Sequence, residues 1–289
     1  MMLSKHAPLT RPLLLPALLL LLAGCGSAED NPTTQPLTLN FAAQVGDEPF
    51  SCGQTYEGLG TTETAFEPFD FRLFISEIEL RDTDGQWQPL NLDQDGVWQH
   101  EDLALLDFED ATGRCQNGST ETREIVTGTL PEGTYDALRF TIGVPFELNH
   151  IDAATAPSPL NTTAMFWSWL GGYKFMRIEG ATTGLDTGWQ FHLGSTGCEP
   201  AEGGGATSCT NANRARIELS EVNVDADTLV FDLAELVADA NLNERQEGTP
   251  SGCMSGPADS DCQPIFSALN LTHSEQSPTP RQVVRVQAR

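Results

Sequence analysis

The sequence predicts an all-β domain, an antiparallel β-sandwich with disulfide-stapled loops. Three observations carry that reading. Apolar residues recur at every second position in several segments, the period of a half-buried strand. Turn residues separate those segments. Six cysteines follow an export leader, an even number for a compartment in which disulfides persist.

The chain opens with Lys5, Arg11 and an apolar run from Leu13 to Ala23 broken by Pro16. The run is too short to span a bilayer and has the order of a secretory signal. It ends in Leu22-Ala23-Gly24-Cys25, small residues before a cysteine, the pattern at which lipoproteins are acylated on the thiol and cleaved. Residues 1–24 are therefore expected to be a lipoprotein signal peptide and 25–36 the lipidated Cys25 with a polar tether. Residues 37–289 are expected to form one β domain, about 250 residues being enough for a single sandwich with a real core. Gly26 and Ser27 follow the cysteine, without Asp, so the expected place is the cell envelope, anchored by lipid to the outer membrane and facing the periplasm or the surface.

Along the domain, Phe69, Phe71 and Leu73 alternate with polar residues, and the phase then shifts to Ile75, Ile78 and Leu80, as a β-bulge makes it do. Leu138, Phe140, Ile142 and Val144 alternate after the turn Pro131-Glu132-Gly133. Ile217 to Val224 and Leu229 to Leu233 give two more strands around Asp225-Ala226-Asp227. One short helix is expected at 234–238, and Gly203-Gly204-Gly205 and 249–262 read as surface loops.

Cys52, Cys115, Cys198, Cys209, Cys253 and Cys262 permit fifteen pairings. Cys198 with Cys209 and Cys253 with Cys262 each bracket a short Gly-, Ser- or Asp-rich loop, which leaves Cys52 with Cys115. The rival, a thiolate zinc site, lacks a C-x-x-C pair. Loss of Lys5 and Arg11 with the leader leaves 41 acidic residues against 13 basic ones. Such a field repels nucleic acid and anionic lipid and favours cationic partners and metal ions.

The nucleophile elbow, the H-E-x-x-H zinc helix, the phosphate-binding glycine loop and the haem-attachment motif are all missing, so the chain reads as a non-enzyme. Four histidines follow the leader: His100, His150, His192 and His273, the last in a polar tail and expected to be exposed. Trp98 and His100 stand two apart on one expected strand, hence on one face. His192 lies in another expected strand, 189–193. Imidazoles converging without thiolates suit copper or zinc, with copper favoured by affinity. Asn91 to Gly96 with Asp102 is a poor calcium loop, since Asn replaces its first Asp and strand-like sequence flanks it. Trp167 and Trp169 share a strand face on this reading, which supports an alternative function: a cell-surface module binding glycan or protein.

Several segments together resemble the MbnP-like family, the four-cysteine protein of the metallo-mystery pair. They are 69–80, 97–109, 130–150, 156–161, 165–177, 191–198 and 253–262, with Met165 to Arg177 and His192 to Cys198 the most specific. Leu170 stands where the family has a polar residue, and the domain has six cysteines where the family's name counts four. The resemblance implies a copper-binding β-sandwich whose partner, a MauG-like dihaem enzyme of the cytochrome c peroxidase family, oxidises a tryptophan to kynurenine beside the metal. It implies Trp98 as the modified residue, with Trp167 and Trp169 in reserve. His100 and His192 would be the ligands, His150 competing with His100.

Acylation at Cys25 makes a direct prediction. Cys25→Ser should leave the membrane fraction as soluble protein or unprocessed precursor, read by fractionation and lipid labelling; unchanged lipid-labelled membrane protein would refute it.

Overall fold

A strand of 19 residues, Thr64–Asp82, organises the larger of two sheets. In the computed structural model, residues 33–185 and 188–289 are described, so Cys25, the leader and most of the expected tether lie outside the described residues. The first strand, Thr34–Val45, begins three residues before the domain start expected at Leu37.

The larger sheet runs in the order Ala215–Ser220, Tyr135–Ile142, Thr64–Asp82, Met176–Thr182, Trp189–Leu193, Gly252–Cys253. Leu103–Asp107 pairs along the other edge of the long strand and carries the two-residue strand Gln99–His100 beyond it. The smaller sheet places Thr34–Val45 at its centre, between Ile125–Pro131 and Asp227–Asp232. Pairing is antiparallel except at Thr34–Val45 with Asp227–Asp232 and at Trp189–Leu193 with Gly252–Cys253. The latter strand sits inside the stretch expected to be a loop. Leu233–Val237 forms the expected helix, its first turn capped by Asp232, whose carboxylate accepts from the Ala234 and Glu235 amides.

The change of phase in the long strand is a bulge at Glu77, whose φ of 53° and register step against 139–141 insert one residue. It keeps Phe71, Leu73 and Ile75 before it, and Ile78 and Leu80 after it, on the buried inner face. There the two sheets meet through aromatic rings. Phe231 packs against Phe41, Phe140 and Phe108, at centroid distances of 6.1, 6.1 and 6.2 Å, and Phe71 joins them through Phe108 at 5.3 Å.

The opposite face of the larger sheet is buried as well. Residues 145–175 fold over it: Tyr173 meets Phe74 edge-on at 5.8 Å, its hydroxyl donates to the Leu160 carbonyl at 2.6 Å, and Met165 and Leu160 are fully enclosed. Asp70 and Arg72, whose alternation with Phe69 and Phe71 suggested solvent, therefore lie under this cover at 1% and 3% exposure. His273 is likewise buried rather than exposed; its Nε2 donates to the Gly256 carbonyl at 3.0 Å and its ring meets Phe266. The cysteines pair as 52–115, 198–209 and 253–262. The first and third pairs are buried; Cys198 and Cys209 are partly exposed.

Because Phe231 joins the two sheets, Phe231→Ala should cost about 3–5 kcal/mol, read as a lower urea midpoint at unchanged slope. A midpoint equal to that of the parent would contradict this packing.

Candidate metal centre

Under the cover, side chains of one face form a ladder of alternating charge. Strand register sets Asp107, Arg72, Arg177 and His192 in one row across four strands, and Asp70 and Glu179 in the next. Like charges opposite each other repel, and the diagonal carboxylates separate them. Asp70 takes Arg72 through both oxygens and Arg177 Nη1 at 3.2 Å. Arg177 in turn grips Glu179, Nε to Oε1 at 2.7 Å and Nη2 to Oε2 at 3.0 Å. Glu109 continues the ladder past Arg72 at 3.7 Å. Burial pushes the Asp107 carboxyl up to about 7 despite Arg72 beside it.

His192 ends the ladder. Its Nε2–H donates to Glu179 Oε1 at 2.6 Å. Burial raises the Glu179 carboxyl, but bonds from His192 and Arg177 outweigh it and hold the group down at about 2. An ionised carboxylate only accepts, so the proton of the imidazole is on Nε2. Burial lowers the His192 pKa, against the pull of Glu179, which favours the neutral ring. Its Nδ1 lone pair is then free, and among the described residues that atom is buried without any hydrogen-bond partner. A histidine whose far nitrogen is held by a carboxylate is the arrangement that orients a metal ligand.

Trp167 is the tryptophan brought to it. The strand Phe166–Ser168 carries its ring to a centroid distance of 6.1 Å from His192. Gly194 permits the approach, since a Cβ there would meet Trp167 at 2.4 Å. Trp167 also lines an open cavity of about 530 Å³ with Leu170, Ser195, Cys198 and Met254. Met254 is tied to the His192 strand through its neighbour: Ser255 Oγ donates to the His192 carbonyl at 2.9 Å and accepts from the Gly194 amide at 3.0 Å.

The other candidates lie elsewhere. Trp98 sits in a bend, not on a strand; its carbonyl accepts from Leu105 N at 2.9 Å and its amide donates to Asp95. His100 is partly exposed beside Glu101, four strands from His192, roughly 19 Å at the usual strand spacing. His150 is buried against Trp169 and the Cys198–Cys209 disulfide, and no hydrogen bond or ring contact joins it to His192. Trp167 and Trp169 do not make one platform, because the first turns to His192 and the second, 43% exposed, to His150. Asp95 in the acidic turn spends one oxygen on the amides of Val97, Trp98 and Gln99 and the other on Arg123. Sequence reasoning passed over Glu179, Arg177 and Met254. The signal was Arg177-Ile178-Glu179, two charges alternating in an otherwise apolar strand.

The MbnP family profile matches residues 34–255. The solved structure of MbnP from Methylosinus trichosporium superposes with a TM-score of 0.77 at 28% sequence identity, covering 89% of this chain and 99% of that one. No curated protein matches the chain.

Lys174, the one lysine left after the leader, lies beside this ladder with its Nζ donating to Ala164 O at 2.8 Å. Burial and the nearby Arg177 push its pKa down to about 8. The neutral, reactive amine therefore gains population as pH rises through 8, and reductive methylation of Lys174 should reach half its limiting rate there. A midpoint near the ordinary lysine value, about 10.4, would contradict the burial.

Proposed function

The chain belongs to the MbnP family, and on that premise we propose that it is a copper-binding lipoprotein of the cell envelope, a non-enzyme, whose site is His192 with an oxidised Trp167. The single observation that carries the site is the unpartnered, buried Nδ1 of a neutral His192 whose other nitrogen Glu179 holds. This donor set fits copper: an imidazole lone pair already desolvated and oriented, with the Met254 thioether on the adjoining cavity as a soft donor. His192 and Met254 would hold the copper, which would accept their electron pairs as a soft Lewis acid. The chain's own residues would hold the ligand tautomer through Glu179 and shield the buried ladder beneath the 145–175 cover, and the net negative charge of the chain favours a cation.

The modification belongs to a second protein, the MauG-like dihaem enzyme. Two peroxide molecules supply one oxygen atom each to the indole C2–C3 bond, which breaks, and each is reduced to water; hydrolysis then releases the formyl carbon as formate. Kynurenine, with an aryl amine and a ketone, remains. Trp167 suits this chemistry because it is partly exposed at an open cavity and lies against His192. Trp98 and His100, the pair suggested by spacing, are separated from His192 by the width of the sheet, so we assign the modification to Trp167.

Peptide mass mapping of protein produced with and without the dihaem partner, followed by Cu(I) titration, tests this. Fragmentation of the tryptic peptide 140–174, which carries both Trp167 and Trp169, should place a gain of about 4 Da, the change from indole to kynurenine, on Trp167, and only that form should bind copper tightly; His192→Ala should lose tight binding. Modification at Trp98 or Trp169 would overturn the assignment. Full copper binding with no tryptophan changed would overturn the mechanism.

A further inference from the structure

The disulfide between Cys198 and Cys209 differs from the other two in what surrounds it. It joins directly opposed residues of the exposed hairpin Thr196–Pro200 and Ala206–Asn211. Cys198 lines the open cavity, whereas Cys52, Cys115, Cys253 and Cys262 are all within 1% exposure of full burial. A histidine also faces it: His150 Nε2 lies 3.4 Å from Cys209 Sγ.

The protonation of that histidine follows from its neighbours. Asn149 Oδ1 accepts from the Tyr173 backbone N–H at 2.8 Å, so its Nδ2 is the donor to His150 Nε2 at 3.2 Å. Nε2 is therefore an acceptor, and Nδ1–H donates to the Trp169 carbonyl at 3.3 Å. Trp169 also ties down the His150 main chain, its Nε1–H donating to the His150 backbone carbonyl at 2.7 Å. The Nε2 atom that accepts from Asn149 thus also lies against one sulfur of a reachable disulfide. The ligand atoms of His150, Cys198 and Cys209 all lie within 4.8 Å of one another.

We propose that Cys198–Cys209 is a reducible disulfide whose dithiol form, with His150, makes a second site for a soft monovalent cation such as Cu(I). A dithiol reductant attacks Cys198 from the cavity. The bond between the two cysteine sulfurs breaks, the reductant closes to its own disulfide, and its two protons and two electrons end on Cys198 and Cys209. The Cys209 S–H then takes the His150 Nε2 lone pair in place of the 3.2 Å bond from Asn149, which favours the thiolate and makes Cys209 the better leaving sulfur. Two thiolates and an imidazole are the donors a soft d10 cation takes, and their protons pass to solvent as it binds. Reoxidation removes two of the three donors, so the site holds its cation only in the reduced state. This second site does not depend on His192.

The test uses the full-length protein under anaerobic conditions. Graded dithiothreitol, alkylation and peptide mapping should show Cys198 and Cys209 labelled at about tenfold lower reductant than either buried pair. Competition with a Cu(I) chelator should then show one equivalent more in the reduced protein than in the oxidised one. That equivalent should be released by a thiol oxidant, weakened at least about tenfold by His150→Ala, and kept in His192→Ala. Simultaneous reduction of all three pairs, reduction of a buried pair first, or no added equivalent in the wild-type protein would overturn the proposal; those readings need no variant to fold.

Discussion

The ion-pair ladder Glu109–Arg72–Asp70–Arg177–Glu179–His192 crosses the face of the larger sheet beneath the 145–175 cover. Charges enclosed this way are tolerated only when each is paired, and losing one partner strands the next. The pairing works in one register alone, because a one-residue slip of Met176–Thr182 would turn Arg177 and Glu179 to the opposite face. The ladder therefore holds strand register, fixes the cover that shields it and sets the state of the histidine at its end. Its contribution is specificity of arrangement more than net stability, which the aromatic contact between the sheets supplies.

Much of the fold is legible in the sequence because it rests on local rules. Alternation marked the strands around Phe71 and Phe140, and the shift of phase after Ile75 marked the bulge at Glu77. The disulfide pairs followed from loop length and elimination. What alternation alone does not report is the number of buried faces. Asp70 and Arg72 have the pattern of a solvent face, and they are buried because a distant, irregular segment packs over them. The parallel pairing of Gly252–Cys253 has a similar origin, a two-residue strand inside a loop tethered by Cys253–Cys262.

The site was partly legible for the same reason. His192 could be placed on a strand, but its partner Glu179 lies 13 residues away, and only the hairpin between them makes the pair. Spacing drew attention to Trp98 and His100, two apart in sequence, whereas three strands of the sheet lie between His100 and the His192 strand. The cover instead supplies two tryptophans, each set against a different histidine: Trp167 against His192 and Trp169 against His150. Cys198 and Trp167 open on one cavity, so a kynurenine-linked imidazole and a redox-dependent dithiol would share a single entrance.

The account turns on the tautomer of one ring. Nitrogen-15 NMR of the imidazoles in the metal-free protein, with His192 assigned by substitution, reads it directly. The account predicts a neutral His192 protonated on Nε2, with an unprotonated Nδ1 whose resonance shifts when Ag(I) is added as a Cu(I) mimic to the partner-modified protein. A His192 protonated on Nδ1, or an Nδ1 resonance unmoved by a stoichiometric soft cation, would contradict it.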